Sequence, residues 1–120
     1  MTTTHKFLNH MEKHRIHIPL YNGNLYVIDT KDVEQAVKDT QYNDYEITSS
    51  ESCIISKRSG DFYLYIDLKE CSMGLLAHEL FHATHRILEY FGVEFTRDNH
   101  EPFAYLLEYL VNECIKLKSE

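Results

Sequence analysis

Basic residues are scarce in this chain: twelve Lys and Arg stand against nineteen Asp and Glu, a net charge of −7. Duplex nucleic acid is bound by faces rich in Lys and Arg, so a nucleic-acid partner is not expected. Cysteine is sparse as well. Cys53, Cys71 and Cys114 are widely spaced, with no C-x-x-C pair. An odd, scattered set reads as free thiols of a reducing cytoplasm rather than a disulfide framework. A metal site here must therefore draw on His and carboxylate. No stretch approaches the roughly 18 apolar residues of a membrane span, so no membrane association is expected. The opening MTTTHKFLNHMEKHR has no apolar run suited to a signal peptide. Repeats, low-complexity tracts and linkers are absent too. What is present is ordinary for a globular protein: 43% apolar and 26% charged residues over 120 positions. The expectation is a single domain over residues 1–120, with one core and no separate lobe. The oligomeric state is not legible.

Residues 5–14 place Phe7, Leu8 and Met11 at helical spacing and predict a short amphipathic helix. His10, His14 and His17 lack an acidic or thiol companion and read as solvated surface histidines. Asn22-Gly23 between two β-rich runs predicts a hairpin, since both residues tolerate positive φ. Pro19, without an amide donor, places the first run at a sheet edge. Thr30 reads as the N-cap of a helix over 31–40, with Asp32 and Glu34 in its first turn and Val33, Ala36 and Val37 on one side. Residues 41–51 read as a polar loop. Cys53–Ser56, a turn at Arg58-Ser59-Gly60-Asp61 and the alternating run Phe62–Leu68 predict a second hairpin. The fold class is thus α+β: a small antiparallel sheet of two hairpins against two C-terminal helices.

The first of those helices, from Met73 to Phe91 with Ser72 as N-cap and Gly92 just past its end, carries His78-Glu79-Leu80-Phe81-His82. This pentad reads H-E-x-x-H. Two histidines four residues apart share a helix face, so both imidazoles can reach one ion. Zinc chemistry needs such nitrogen donors on a rigid rod, together with a carboxylate that accepts a proton from water. At least one more protein ligand is required. His85, Glu89, Asp98, His100 and Glu101 are the candidates downstream. His85 reads as structural, since a rigid helix can hardly bring three rings onto one ion. Asn99 caps a last helix with Pro102 in its first turn. Antiparallel packing of this helix on the pentad helix predicts Glu101 near His78 and His82.

His78-Glu79-x-x-His82, followed by Asn99-His100-Glu101-Pro102-Phe103-Ala104-Tyr105, resembles the gluzincin metallopeptidases. The similarity is to their minimal single-domain members, the short H-E-x-x-H proteins of bacteria, phages and mobile elements. It covers roughly residues 52–117. The resemblance implies a zincin-like fold, with one zinc ion per chain held by His78, His82 and Glu101 and with Glu79 as general base. It also implies that Phe62–Leu68 lines the cleft as an edge strand able to pair with a peptide. One departure is clear. Larger gluzincins often place an Asp four residues after the glutamate ligand, where it orients the first histidine, and Tyr105 stands there in this chain. A backbone carbonyl or Glu108 must then serve. Tyr105, His100 and His85 all qualify by type as the donor to the oxyanion, and Tyr105 suits equally a packing role.

The implied function is hydrolysis of a peptide or protein substrate by a zinc peptidase of the cytoplasm of a bacterium or phage-infected host. The alternative is a metallopeptidase-like binding or structural protein without turnover, such as a virion or host-takeover component. Its interface would use the Tyr63/Tyr65 face. Glu79 argues for the enzyme, because a structural zinc site has no use for a carboxylate there.

Overall fold

The computed structural model describes residues 2–6, 11–40, 45–47, 54–56 and 60–120. In chain order the elements are β1 (Thr2–Lys6), β2 (Met11–Ile18), β3 (Gly23–Thr30), α1 (Val33–Thr40), β4 (Tyr45–Ile47), β5 (Ile54–Ser56), β6 (Asp61–Ile66), α2 (Met73–Tyr90) and α3 (Glu101–Lys118). The α+β class holds. A four-stranded sheet runs β1-β2-β3-β6, and β4 pairs with β5 in a separate two-stranded sheet.

The N-terminal helix predicted over 5–14 is replaced by strands: β1 and β2 pair antiparallel from Thr2↔Ile16 to Lys6↔Glu12. Period-two burial explains this, since Ile16 and Ile18 sink into one core and Met11 into another on the opposite face. His14 is buried rather than solvated, and desolvation lowers its pKa. Phe7, Leu8 and His10 lie outside the described residues.

The hairpin marked by Asn22-Gly23 forms, with β2 and β3 paired from Ile18↔Gly23 to Met11↔Thr30. Its turn chemistry is displaced, however. Positive φ falls on Leu20 (73°) and Asn22 (52°), not on Gly23. Space is what requires glycine at 23: a Cβ there would lie 2.5 Å from the Gly60 carbonyl oxygen. Pro19 sits in the turn, where a missing N–H costs the ladder nothing, so β2 is an interior strand.

The second predicted hairpin is corrected. β6 runs parallel to β3, from Asn24↔Asp61 to Asp29↔Ile66, and the sheet is mixed. Both faces of β6 are covered, which explains the parallel crossover. Phe62, Leu64 and Ile66 meet α2 and α3, while Tyr65, fully buried, joins Met11, Ile28 and Ala36 beneath α1. Tyr63 is half-buried and pairs with Tyr26, with stacked rings 5.1 Å apart. The Tyr63/Tyr65 face is therefore covered by this chain's own α1 and is not an open interface. β6 does stand at an end of the hydrogen-bonded strand order.

α1 begins two residues later than Thr30 alone would dictate. The Thr30 hydroxyl accepts the Asp32 N–H (3.1 Å), and the Asp32 carboxylate caps the helix by accepting the Gln35 N–H (3.1 Å). On the other face of the sheet, α2 and α3 complete the main core through Leu76, Leu80, Ala83 and Ile87, and through Phe103, Leu106, Leu110 and Cys114.

Candidate functional site

α2 is bounded as its sequence predicts. The Ser72 hydroxyl accepts the Leu75 N–H at 3.0 Å. At the other end Gly92 adopts φ 82°. The Val93 N–H then reaches the Leu88 carbonyl (2.8 Å) and the Gly92 N–H that of Glu89 (3.0 Å), the paired bonds of a Schellman end. Between these caps, Leu76, Leu80, Ala83, Thr84, Ile87 and Leu88 turn to the core. The opposite side carries His78, Phe81, His82, His85 and Glu89, and His78 is exposed.

His78 and His82 come together. Their Nε2 atoms lie 3.3 Å apart and their rings are inclined by 71°. Zn–N bonds of 2.0–2.1 Å at a tetrahedral angle set two nitrogens about 3.3 Å apart. The pair therefore has the separation of two ligands of one ion, and the same spacing admits a direct N–H···N bond in which one ring donates. Glu79, rotated about 100° from its neighbour by helix geometry, lies on the inward flank, where it is 1% exposed.

Glu101 and Tyr105 are placed elsewhere. α3 meets α2 through Phe103, whose ring centroid is 5.0 Å from that of Phe81 and 6.1 Å from that of His85. Glu101, Tyr105 and Tyr109, spaced by four, lie on another side of α3. They line a groove of about 420 Å³ with Pro19, Leu20, Tyr21, Pro102 and Leu106. The Tyr109 hydroxyl closes one side of it by donating to the His17 carbonyl at 2.8 Å. Among the described residues, no three His, Cys, Asp or Glu side chains gather closely enough to hold an ion. Zinc therefore fits the two imidazoles by donor type and spacing, whereas the third donor is not assembled beside them.

The other candidates follow the same division. His85 joins Glu89, Gly92, Val93, Glu94 and Phe95 around a second hollow of about 400 Å³. His100 is the residue before α3 and makes no side-chain cap bond; like Asp98 it is exposed. Glu108 is exposed on α3. Cys114 is no ligand candidate, since burial pushes its thiol up to about 12.

The groove between the β2–β3 turn and α3 is absent from the sequence reading. Its one local signal is Leu20, an apolar residue in the left-handed region with 96% of its surface exposed. Compared with protein families, curated proteins and solved structures, the chain matches none.

Proposed function

We propose that the protein is a zinc-dependent peptidase of the gluzincin type, acting on a peptide or protein substrate. The observation that supports it is the His78–His82 pair, two Nε2 atoms at ligand spacing on one rigid helix. In this reading His78 and His82 present neutral nitrogens to one ion per chain. Glu101, exposed at the start of α3, would supply the third donor. Zinc, when bound, supplies Lewis acidity toward the scissile carbonyl and lowers the pKa of water to about 7. Glu79 accepts a proton from the attacking water and returns it to the leaving amine nitrogen. Tyr105 is the donor assigned to the carbonyl oxygen as its charge develops. A cytoplasmic setting belongs to this reading; among the described residues no helix is long and apolar enough to cross a membrane.

Glu79→Gln tests it. Zinc content should be unchanged and peptide cleavage abolished, while His82→Ala and Glu101→Ala should each lose the metal. Turnover retained by Glu79→Gln would remove the general base and with it the mechanism. A second reading, a metallopeptidase-like binding or structural protein without turnover, is favoured by one observation. Glu101 and Tyr105 line an apolar groove instead of joining the histidine pair. Zinc bound at one per chain with no cleavage of any peptide or protein offered would select it.

A further inference from the structure

The groove between the β2–β3 turn and α3 carries apolar surface that folding does not call for. Leu20 stands in the left-handed region at φ 73° with 96% of its surface exposed, and Tyr105 is 68% exposed. That backbone favours glycine, so a leucine held in it and left in water brings folding nothing. Two of the tyrosine rings are fixed in advance. The Tyr109 hydroxyl donates to the His17 carbonyl at 2.8 Å, and Tyr21 stacks on Phe91 with ring centroids 5.1 Å apart. Pro19 and Pro102 add two rigid rings to the walls. Among the described residues Glu101 is the charged side chain that lines the groove, and no described Lys, Arg or His forms an ion pair with it. Glu108, three residues beyond Tyr105 on the same helix, is exposed close by. In a chain of net charge −7, such a mouth attracts cations.

Volume and wall chemistry decide which partner suits it. At about 420 Å³ the groove lies within the usual range of ligand sites. An α-helix about 10 Å across fills that space with a single turn, too little to anchor one. A β-strand is unsuited as well, since the walls are a turn and a helix with no strand edge to pair with. A polyproline II segment needs neither. It has no internal hydrogen bonds, its backbone stays in water, and its rings pack between aromatic side chains. Tyr105 and Tyr109, one helical turn apart, form a cleft in which such a ring lies. We propose that the groove binds an extended proline-rich segment of another protein that carries Arg or Lys. Its proline rings pack against Tyr105, Tyr109 and Leu20, and its basic side chain pairs with Glu101. This deepens the reading without turnover, on which it rests, because Glu101 stays at the groove and is not spent on a metal.

The test is fluorescence anisotropy of a labelled Arg-Pro-Pro-Pro-Pro-Pro-Pro peptide against the full chain in EDTA, where no metal chemistry intervenes. Two control peptides replace the prolines by alternating Gly and Ser, or the arginine by Glu. The first peptide should bind, and both controls should bind at least about tenfold more weakly. Leu20→Gly suits the left-handed backbone and keeps the fold, and Tyr105→Ala removes an exposed ring. Each should weaken binding of the first peptide about fivefold or more. Glu101→Gln should do the same and flatten its salt dependence. No binding by the wild type, equal binding of either control, or binding that either Leu20→Gly or Tyr105→Ala leaves unchanged would overturn the proposal. So would a free protein heavier than 14.2 kDa by light scattering whose mass Leu20→Gly lowers, which would give the groove to a second copy. Failure of the reading without turnover shows separately, as peptide cleavage by the zinc-loaded chain, and does not move a binding curve measured in EDTA.

Discussion

α2 and α3 are both 18 residues long and lean on the same face of the sheet, yet their outer sides differ. α3 presents Glu101, Tyr105, Glu108, Asn112 and Lys116 to solvent, the mixed polar surface of an ordinary amphipathic helix. α2 presents apolar residues and histidines over its first three turns. Their inner sides are alike, with leucines at 76, 80, 106 and 110 packed into one core. The contrast separates what folding demands from what it does not. Burial against the sheet explains both inner faces; nothing in folding explains an outer side that carries no exposed charge until Arg86 and Glu89. That is why the histidine pair on α2 is read as a site, whereas the polar residues of α3 are not in general.

The comparison can be broken at its strongest point first. If the two inner faces are equivalent, Leu80→Ala in α2 and Leu110→Ala in α3 should each destabilise by about 2–5 kcal/mol, the usual range for truncating a fully buried leucine. Urea unfolding of the two variants checks this, and values differing by more than about 2 kcal/mol would show that one helix carries the core. A smaller effect is expected where the end of α3 grips the turn before α2. The Lys118 ammonium donates to the carbonyls of Leu68 (2.9 Å), Lys69 (3.0 Å) and Cys71 (2.8 Å). Lys118→Met should cost about 1–2 kcal/mol, below the sum of three charged hydrogen bonds because the group is half-exposed. The smallest effect concerns the caps. Ser72→Ala removes a side-chain cap from α2 and should cost about 1 kcal/mol, while His100→Ala at the uncapped start of α3 should change stability by less than about 0.5 kcal/mol. Equal shifts in thermal midpoint for these two would erase the difference in how the helices begin.

How much of the candidate site was legible follows from the range over which each interaction acts. His78 and His82 meet because they are four apart on one helix, and the local cap chemistry of Ser72 and Gly92 suffices to place that helix. Glu101 was expected at the same point on the assumption that antiparallel packing would aim it there. α3 starts at Glu101 with His100 at its N-cap, one residue past the Asn99 cap that the sequence predicts; the Asn99 side chain instead donates to the Glu94 carbonyl at 3.2 Å. Which face of α3 meets α2 depends on the fit of Phe103 between Phe81 and His85, and no spacing within the chain encodes that. The groove behind Glu101 was missed for the same reason: it joins residues 19–21 to residues 101–109, two segments with no common local pattern.

The sheet shows the same division. Alternation along Phe62–Leu68 identifies a strand from sequence, since the pleat sends successive side chains to opposite faces. Whether that strand returns as a hairpin or crosses over to run parallel depends on what covers its second face. Ala36 of α1 and Tyr65 of β6 settle the matter by burying one another. The sequence by itself determined the elements whose signals are local: α2 with its caps, the β2–β3 hairpin, and a histidine pair on one helix turn. Only the tertiary structure decided the parallel pairing of β6, the burial of His14 and Tyr65, and the side of α3 on which Glu101 and Tyr105 stand. Those depend on which apolar faces find each other, and burial rewards apolar contact without regard to the distance along the chain.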